Sequence, residues 1–106
     1  MLDLPKPIAR YLATDAGDTD AVMHCFAENA TVRDEGRTHT GRAEIAVWKA
    51  RTASEYQYTS TPVAARKEGG RHIVTAHVEG NFPGSPVDLA YAFTLENDLV
   101  RSLEIG

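Results

Sequence analysis

One cysteine is all that this chain of 106 residues contains. Cys25 can therefore close no intrachain disulfide, and a reducing compartment, the cytoplasm, is the expected setting. Positive charge is also scarce: 11 lysines and arginines stand against 15 acidic residues, for a net charge of −4. Phosphate backbones are recognised by basic stripes, and the cations here are scattered, so no nucleic-acid partner is expected. No apolar run reaches membrane-spanning length, and the opening MLDLPKPIAR, with two prolines, reads as neither a signal segment nor a membrane segment. No group of His, Cys, Asp and Glu shows metal-ligand spacing, and there is no glycine-rich phosphate loop and no nucleophile constellation. Neither metal nor cofactor is expected. Repeats, low-complexity tracts and linkers are missing too, which leaves residues 1–106 as one domain.

What is present is patterned. Pro5 and Pro7 suit a helix entrance, and Ile8, Tyr11 and Leu12 then recur at i, i+3 and i+4, the stripe of a helix that Gly17 ends. Asp18 caps a second helix with Val22, Met23 and Phe26 on its apolar face, closed by Asn29. A short strand follows over residues 30–34, then a polar excursion over 36–41. Thr40 or Gly41 caps a third helix, with Ile45 and Trp48 on one face and Ala46 and Ala50 beside them. From Tyr56 the period changes to two. Residues 56–65 read as a strand with Pro62 at an edge or bulge, and residues 67–70 as a hairpin turn. Over 72–80, Val74, Ala76 and Val78 fall on one face, and Ile73, Thr75, His77 and Glu79 on the other. After the breaker-rich residues 81–86, Val87, Leu89, Tyr91, Phe93 and Leu95 alternate strictly, as expected of a half-buried strand. A turn over 96–98 leads to a last strand carrying Leu99, Leu103 and Ile105. Helices first and strands last predict an α+β domain, its curved antiparallel sheet wrapped around the helices into a cone with a pocket.

The chemically suggestive residues gather in residues 26–48. The strand period carries Val32 and Asp34 to one face and Arg33 to the other, so Asp34 goes inward if Val32 does. A carboxylate aimed at a core is costly unless it is paired, hydrogen-bonded or protonated. Two readings stand: a general acid/base in the pocket, or a strand-end carboxylate that caps the turn or pairs with Arg33, Arg37 or His39. His39 sits in a short extended segment that can return toward Asp34, where an Asp-His pair would relay protons near neutral pH, or it is a turn histidine bonded to backbone. Trp48, Tyr91, Phe93, Phe26 and Met23 are core in the simplest reading, with some of them lining the pocket. Tyr11, Tyr56, Tyr58 and Tyr91 are the available phenolic donors.

The break at Ala16-Gly17-Asp18, the run Phe26-Ala27-Glu28-Asn29-Ala30-Thr31-Val32-Arg33-Asp34, the start of helix three over residues 41–45 and the closing strands at Tyr91-Ala92-Phe93 and 99–103 resemble the nuclear transport factor 2-like superfamily, and within it the SnoaL-like proteins. The resemblance covers nearly the whole chain and implies the cone-shaped, cystatin-like fold. That fold hosts isomerases, cyclases, lyases, hydrolases and non-enzymatic binders. Residues 26–35 are similar to the segment bearing the general base of ketosteroid isomerases, with Asp34 at the base position. Two departures accompany the match. Counted from the Gly-Asp break, Tyr11 falls one residue from the isomerase's oxyanion tyrosine, about 100° of helix, enough to turn a phenol out of a pocket. The isomerase's protonated oxyanion aspartate falls on Leu89 or Ala90. The resemblance therefore implies a small-molecule pocket protein rather than a steroid isomerase. Asp34 and His39 are its candidate catalytic pair, Tyr11, Phe26, Trp48, Tyr91 and Phe93 its candidate ligand contacts, and a small apolar carbonyl compound its substrate. The alternative is a non-catalytic apolar-ligand or dimerisation domain, with a second copy packed on the sheet face that presents Ile73, Thr75 and His77.

Overall fold

The computed structural model describes residues 4–14 and 22–106. Helix α1 (Lys6–Thr14) is followed by strand β1 (Phe26–Asp34), strand β2 (Arg37–Thr40), helix α2 (Gly41–Glu55), and strands β3 (Tyr58–Glu68), β4 (Arg71–Gly80), β5 (Val87–Glu96) and β6 (Leu99–Ile105). The expected helix end at Gly17 and the Asp18 cap lie outside the described residues. The closing stretch of the second helix is corrected: Val22 and Met23 are helical, but Phe26 already belongs to β1. Its backbone is held by partners distant in sequence. Val100 N–H donates to the Cys25 carbonyl at 2.7 Å, and the Arg42 guanidinium donates twice to the Phe26 carbonyl, at 3.0 and 2.7 Å. Tertiary bonds of this kind override a helical spacing three residues long.

The six strands form one curved, unclosed sheet in the order β2-β1-β6-β5-β4-β3. Every pairing is antiparallel except that of β1 with β6, which is parallel. Register irregularities fall in the β1–β6, β3–β4 and β5–β6 ladders, and an inserted residue locally increases twist and bend. Pro62 sits beside the β3–β4 irregularity on a strand at the sheet edge, where its missing N–H disturbs the ladder least, as its sequence context predicts. Three hairpins turn through two residues with positive φ: Glu35-Gly36, Gly69-Gly70 and Asn97-Asp98. That geometry matches the twist of the flanking strands. The first of these hairpins makes β2 a strand, where the sequence pattern suggested only a polar excursion.

The core lies between the helices and the concave face of the sheet. Ile8, Tyr11 and Leu12 of α1 are buried, as their spacing predicts, and Val74, Ala76 and Val78 of β4 are buried together. Tyr11 is the hub: its ring lies edge-on to Phe26 at 5.9 Å and to Phe93 at 5.6 Å, and tilted against Tyr91 at 6.2 Å. Ile45 and Trp48 of α2 are buried as expected; Ala50 is exposed, and Lys49 takes a core position instead.

One close approach fixes the end of the β3–β4 ladder, where Gly80 is opposite Tyr58. A Cβ on Gly80 would fall on the Gln57 carbonyl oxygen and on Cβ of Tyr58. These are atoms of the backbone and its first side-chain carbon, which cannot swing aside. Gly80→Ala should therefore cost about 1–3 kcal/mol, the usual range for an overpacked site. Urea titration of the two proteins measures it, and an unchanged midpoint would mean that the β3–β4 end is loose.

Candidate functional site

A cavity of about 610 Å³ opens between α1, α2 and the concave face of the sheet. Its floor and walls include Tyr11, Asp34, His39, Trp48, Lys49, Tyr58, Leu89 and Tyr91. The volume lies in the roughly 300–1,000 Å³ range of small-molecule sites.

Asp34 reaches this cavity by strand alternation. Val32 is fully buried, and Asp34, two residues on, projects to the same side and is half-buried. One of its carboxylate oxygens accepts the Trp48 indole N–H at 3.1 Å. That bond joins the end of β1 to the second turn of α2, and a buried indole N–H needs such a partner. Asp34 is close enough to Tyr11, Tyr58 and Tyr91 for its negative charge to disfavour ionisation of all three phenols.

His39 is opposite Val32 in the β1–β2 ladder, as Arg37 is opposite Asp34. Directly opposed residues share a face, so His39 and Asp34 are on the same side of the hairpin. Among the described residues no hydrogen bond or ion pair joins them. Both meet Trp48: its N–H goes to Asp34, and the His39 ring lies against the indole at 5.9 Å with 30° between planes. Asp34 and His39 are thus two groups arranged about one indole.

The candidate ligand contacts divide. Tyr11, Trp48 and Tyr91 border the cavity, while Phe26 and Phe93 are fully buried behind it and pack on Tyr11. Tyr11 corrects the helical count that turned its phenol away. It is completely buried, its ring forms part of the wall, and its hydroxyl has no hydrogen-bond partner among the described residues. Burial raises its phenol well above the ordinary value, with the neighbouring tyrosines, Asp34 and Cys25 acting in the same direction. Tyr91 is likewise raised by burial; a hydrogen bond with Ser60 opposes the shift and the Asp34 charge adds to it.

Sequence reasoning missed Lys49. It is 2% exposed, and its ammonium donates to the Tyr58 hydroxyl at 2.9 Å. Three ring faces surround it, Trp48 at 5.3 Å, Tyr11 at 5.4 Å and Tyr58 at 5.5 Å from nitrogen to centroid. Burial lowers its pKa from the ordinary 10.5 to about 7. The signal was in the chain: Lys49 follows Ile45 by four residues and so shares the buried side of α2.

An α+β domain whose curved, unclosed sheet folds over its helices to leave a cavity beneath them is of the nuclear transport factor 2-like class. The chain belongs to the SnoaL-like domain family, which it matches over residues 8–102. It is similar to a Sinorhizobium meliloti protein provisionally named a polyketide cyclase, with 38% identity over 98% of this chain and 96% of that one and a TM-score of 0.92. A protein of ketosteroid isomerase-like fold from Catenulispora acidiphila, solved in complex with trimethylamine, is 25% identical over 98% of this chain and 86% of that one, with a TM-score of 0.84. A nuclear transport factor 2-like protein of unknown function from Cytophaga hutchinsonii shares the fold at 12% identity, covering 100% of this chain and 91% of that one with a TM-score of 0.75. No curated protein matches the chain. No helix among the described residues is long and apolar enough to cross a membrane.

Proposed function

We propose that this protein catalyses proton transfer on a small apolar carbonyl compound held in the cavity, with Asp34 as the general acid/base. The observation that carries the reading is the placement of Asp34. Its carboxylate is fixed by the Trp48 N–H on the same cavity wall system as three phenols that remain protonated at neutral pH. A carboxylate that removes a proton next to a carbonyl leaves negative charge on the carbonyl oxygen, and preorganised donors aimed at that oxygen lower the barrier. The Tyr11 hydroxyl, buried and with no hydrogen-bond partner among the described residues, would serve as a donor of this kind. His39, against the same indole, would exchange protons between the cavity mouth and solvent.

A non-catalytic ligand carrier is the second reading, and the trimethylamine complex of the Catenulispora relative supports the capture of small organic molecules in this fold. One experiment separates the two. The protein is incubated in D₂O with a panel of apolar ketones while NMR follows loss of the α-proton signal, and fluorescence of its single tryptophan, Trp48, reports occupancy. The expected outcome is fluorescence change together with α-proton exchange about 100-fold or more above buffer, the scale of positioned acid/base catalysis. Occupancy without exchange would leave the carrier.

A further inference from the structure

Lys49 has no part in the proton transfer just described, although it borders the same cavity as Asp34. It is the one buried charged side chain among the described residues. A methionine or leucine would fill the same space without taking an amine out of water, which is costly even when ring faces and a hydroxyl compensate it. The nitrogen is also oriented, by the Tyr58 oxygen at 2.9 Å and by rings of three different elements, α1, α2 and β3. An oriented, desolvated primary amine facing a cavity is the arrangement that makes a lysine nucleophilic toward carbonyls.

We propose that Lys49 is a covalent catalyst of this cavity, condensing with the carbonyl carbon of a small ketone or aldehyde to form an iminium ion. The neutral amine adds to the carbonyl carbon, a proton passes from nitrogen to oxygen, and a carbinolamine results. One proton taken from solvent lets that hydroxyl leave as water, and the carbon–nitrogen double bond forms. The iminium is a stronger electron sink than the parent carbonyl, so a neighbouring C–H becomes easier to deprotonate. Its removal by Asp34 gives an enamine; reprotonation and addition of water return a carbonyl compound and the free amine. Only this last removal rests on the proton-transfer reading. The lowered pKa of about 7 leaves about half of the amine neutral at pH 7, in keeping with the role.

The test uses the whole protein, cyclohexanone and sodium cyanoborohydride at pH 7, with peptide mass mapping of the three lysines. Lys6 and Lys67 are exposed and serve as internal references in the same molecule. Lys49 should take up the cyclohexyl group about tenfold faster or more than either, because its amine is desolvated and held in place at the cavity. Lys49→Arg should lose that label while Lys6 and Lys67 react as before. Asp34→Asn should keep it, so a failure of Asp34 as the base and a failure of Lys49 as the nucleophile give different results. Labelling of Lys49 no faster than that of Lys6 and Lys67 would overturn the proposal, and this comparison needs no variant to fold.

Discussion

Lys49→Met should melt about 8–16 °C above the unaltered protein at pH 7, and the gap should depend on pH. The folded state holds the Lys49 ammonium at about 7 against an ordinary value of 10.5. Protonation is thus disfavoured by folding, and the unfolded chain binds the proton over a range where the folded chain does not. Above about pH 10.5 both states carry the neutral amine and the lysine makes no pH-dependent contribution. As pH falls from there to about 7, the unfolded state gains up to about 1.4 kcal/mol per unit, and below about 7 the loss of folded-state stability is complete. The ceiling is on the order of 4 kcal/mol at neutral pH. Loss of the Tyr58 hydrogen bond, about 1 kcal/mol, and of the ring and other contacts of the ammonium offsets part of it, leaving roughly 2 kcal/mol in favour of methionine. For a domain of this size 1 kcal/mol is about 4–8 °C. Calorimetry at pH 6, 7, 8 and 9 checks the claim. The gap should be wide at pH 6–7 and narrow by pH 9. A gap that is constant with pH, or a lower midpoint for methionine, would mean that the amine is fully accommodated. The tyrosines set the upper limit of the window. Tyr11, Tyr58 and Tyr91 have raised values in the fold, so the stability tied to them is complete below about pH 10 and is lost as pH rises beyond it.

A lysine whose charged form is disfavoured by burial, placed where the rest of the helix face is apolar, calls for a functional reason more than a packing one. The same contrast separates what was legible in the sequence from what was not. Periodicity is a local property, and the elements it governs were readable: the Ile8, Tyr11 and Leu12 stripe, the Val74, Ala76 and Val78 face, the alternation of Val87 to Leu95, and Val32 with Asp34 on one side of a strand. Phe26 was misread because its spacing from Val22 and Met23 is helical, whereas its conformation is decided by Val100 and Arg42, both far along the chain. Tyr11 was turned outward by a count from Gly17, yet the rotation of α1 is set by burying Ile8, Tyr11 and Leu12 together against the sheet. Lys49 went unnoticed because lysine is ordinarily solvated. Its environment is assembled by rings from α1 and β3 as well as its own helix, and no window of sequence contains all three. Asp34 could be assigned to a face from the sequence; the group that holds it there, the Trp48 indole, could not.

Asp34→Asn should remove between about 100- and 10,000-fold of the ketone exchange rate while changing the melting midpoint little. The size of the kinetic loss is that of a missing positioned base, because an amide cannot take the proton a carboxylate takes. The small structural effect follows from the Trp48 contact: the carboxamide oxygen can accept the same indole N–H at the same place, so no buried donor is orphaned. Asp34→Ala is the informative companion. It deletes the acceptor as well as the base, leaves the indole N–H of the buried Trp48 without its partner, and should cost about 1–3 kcal/mol in addition to the activity. Two outcomes redirect the assignment. If asparagine retains the rate within about threefold, the base lies elsewhere on the wall, with Glu35 and Glu55 the next carboxylates to replace. If asparagine lowers the midpoint as much as alanine does, the charge itself supports the fold, and Asp34 is a structural partner of α2. Loss of rate in both variants with loss of stability in alanine alone is the pattern of a carboxylate kept for its basicity and positioned by its hydrogen bond.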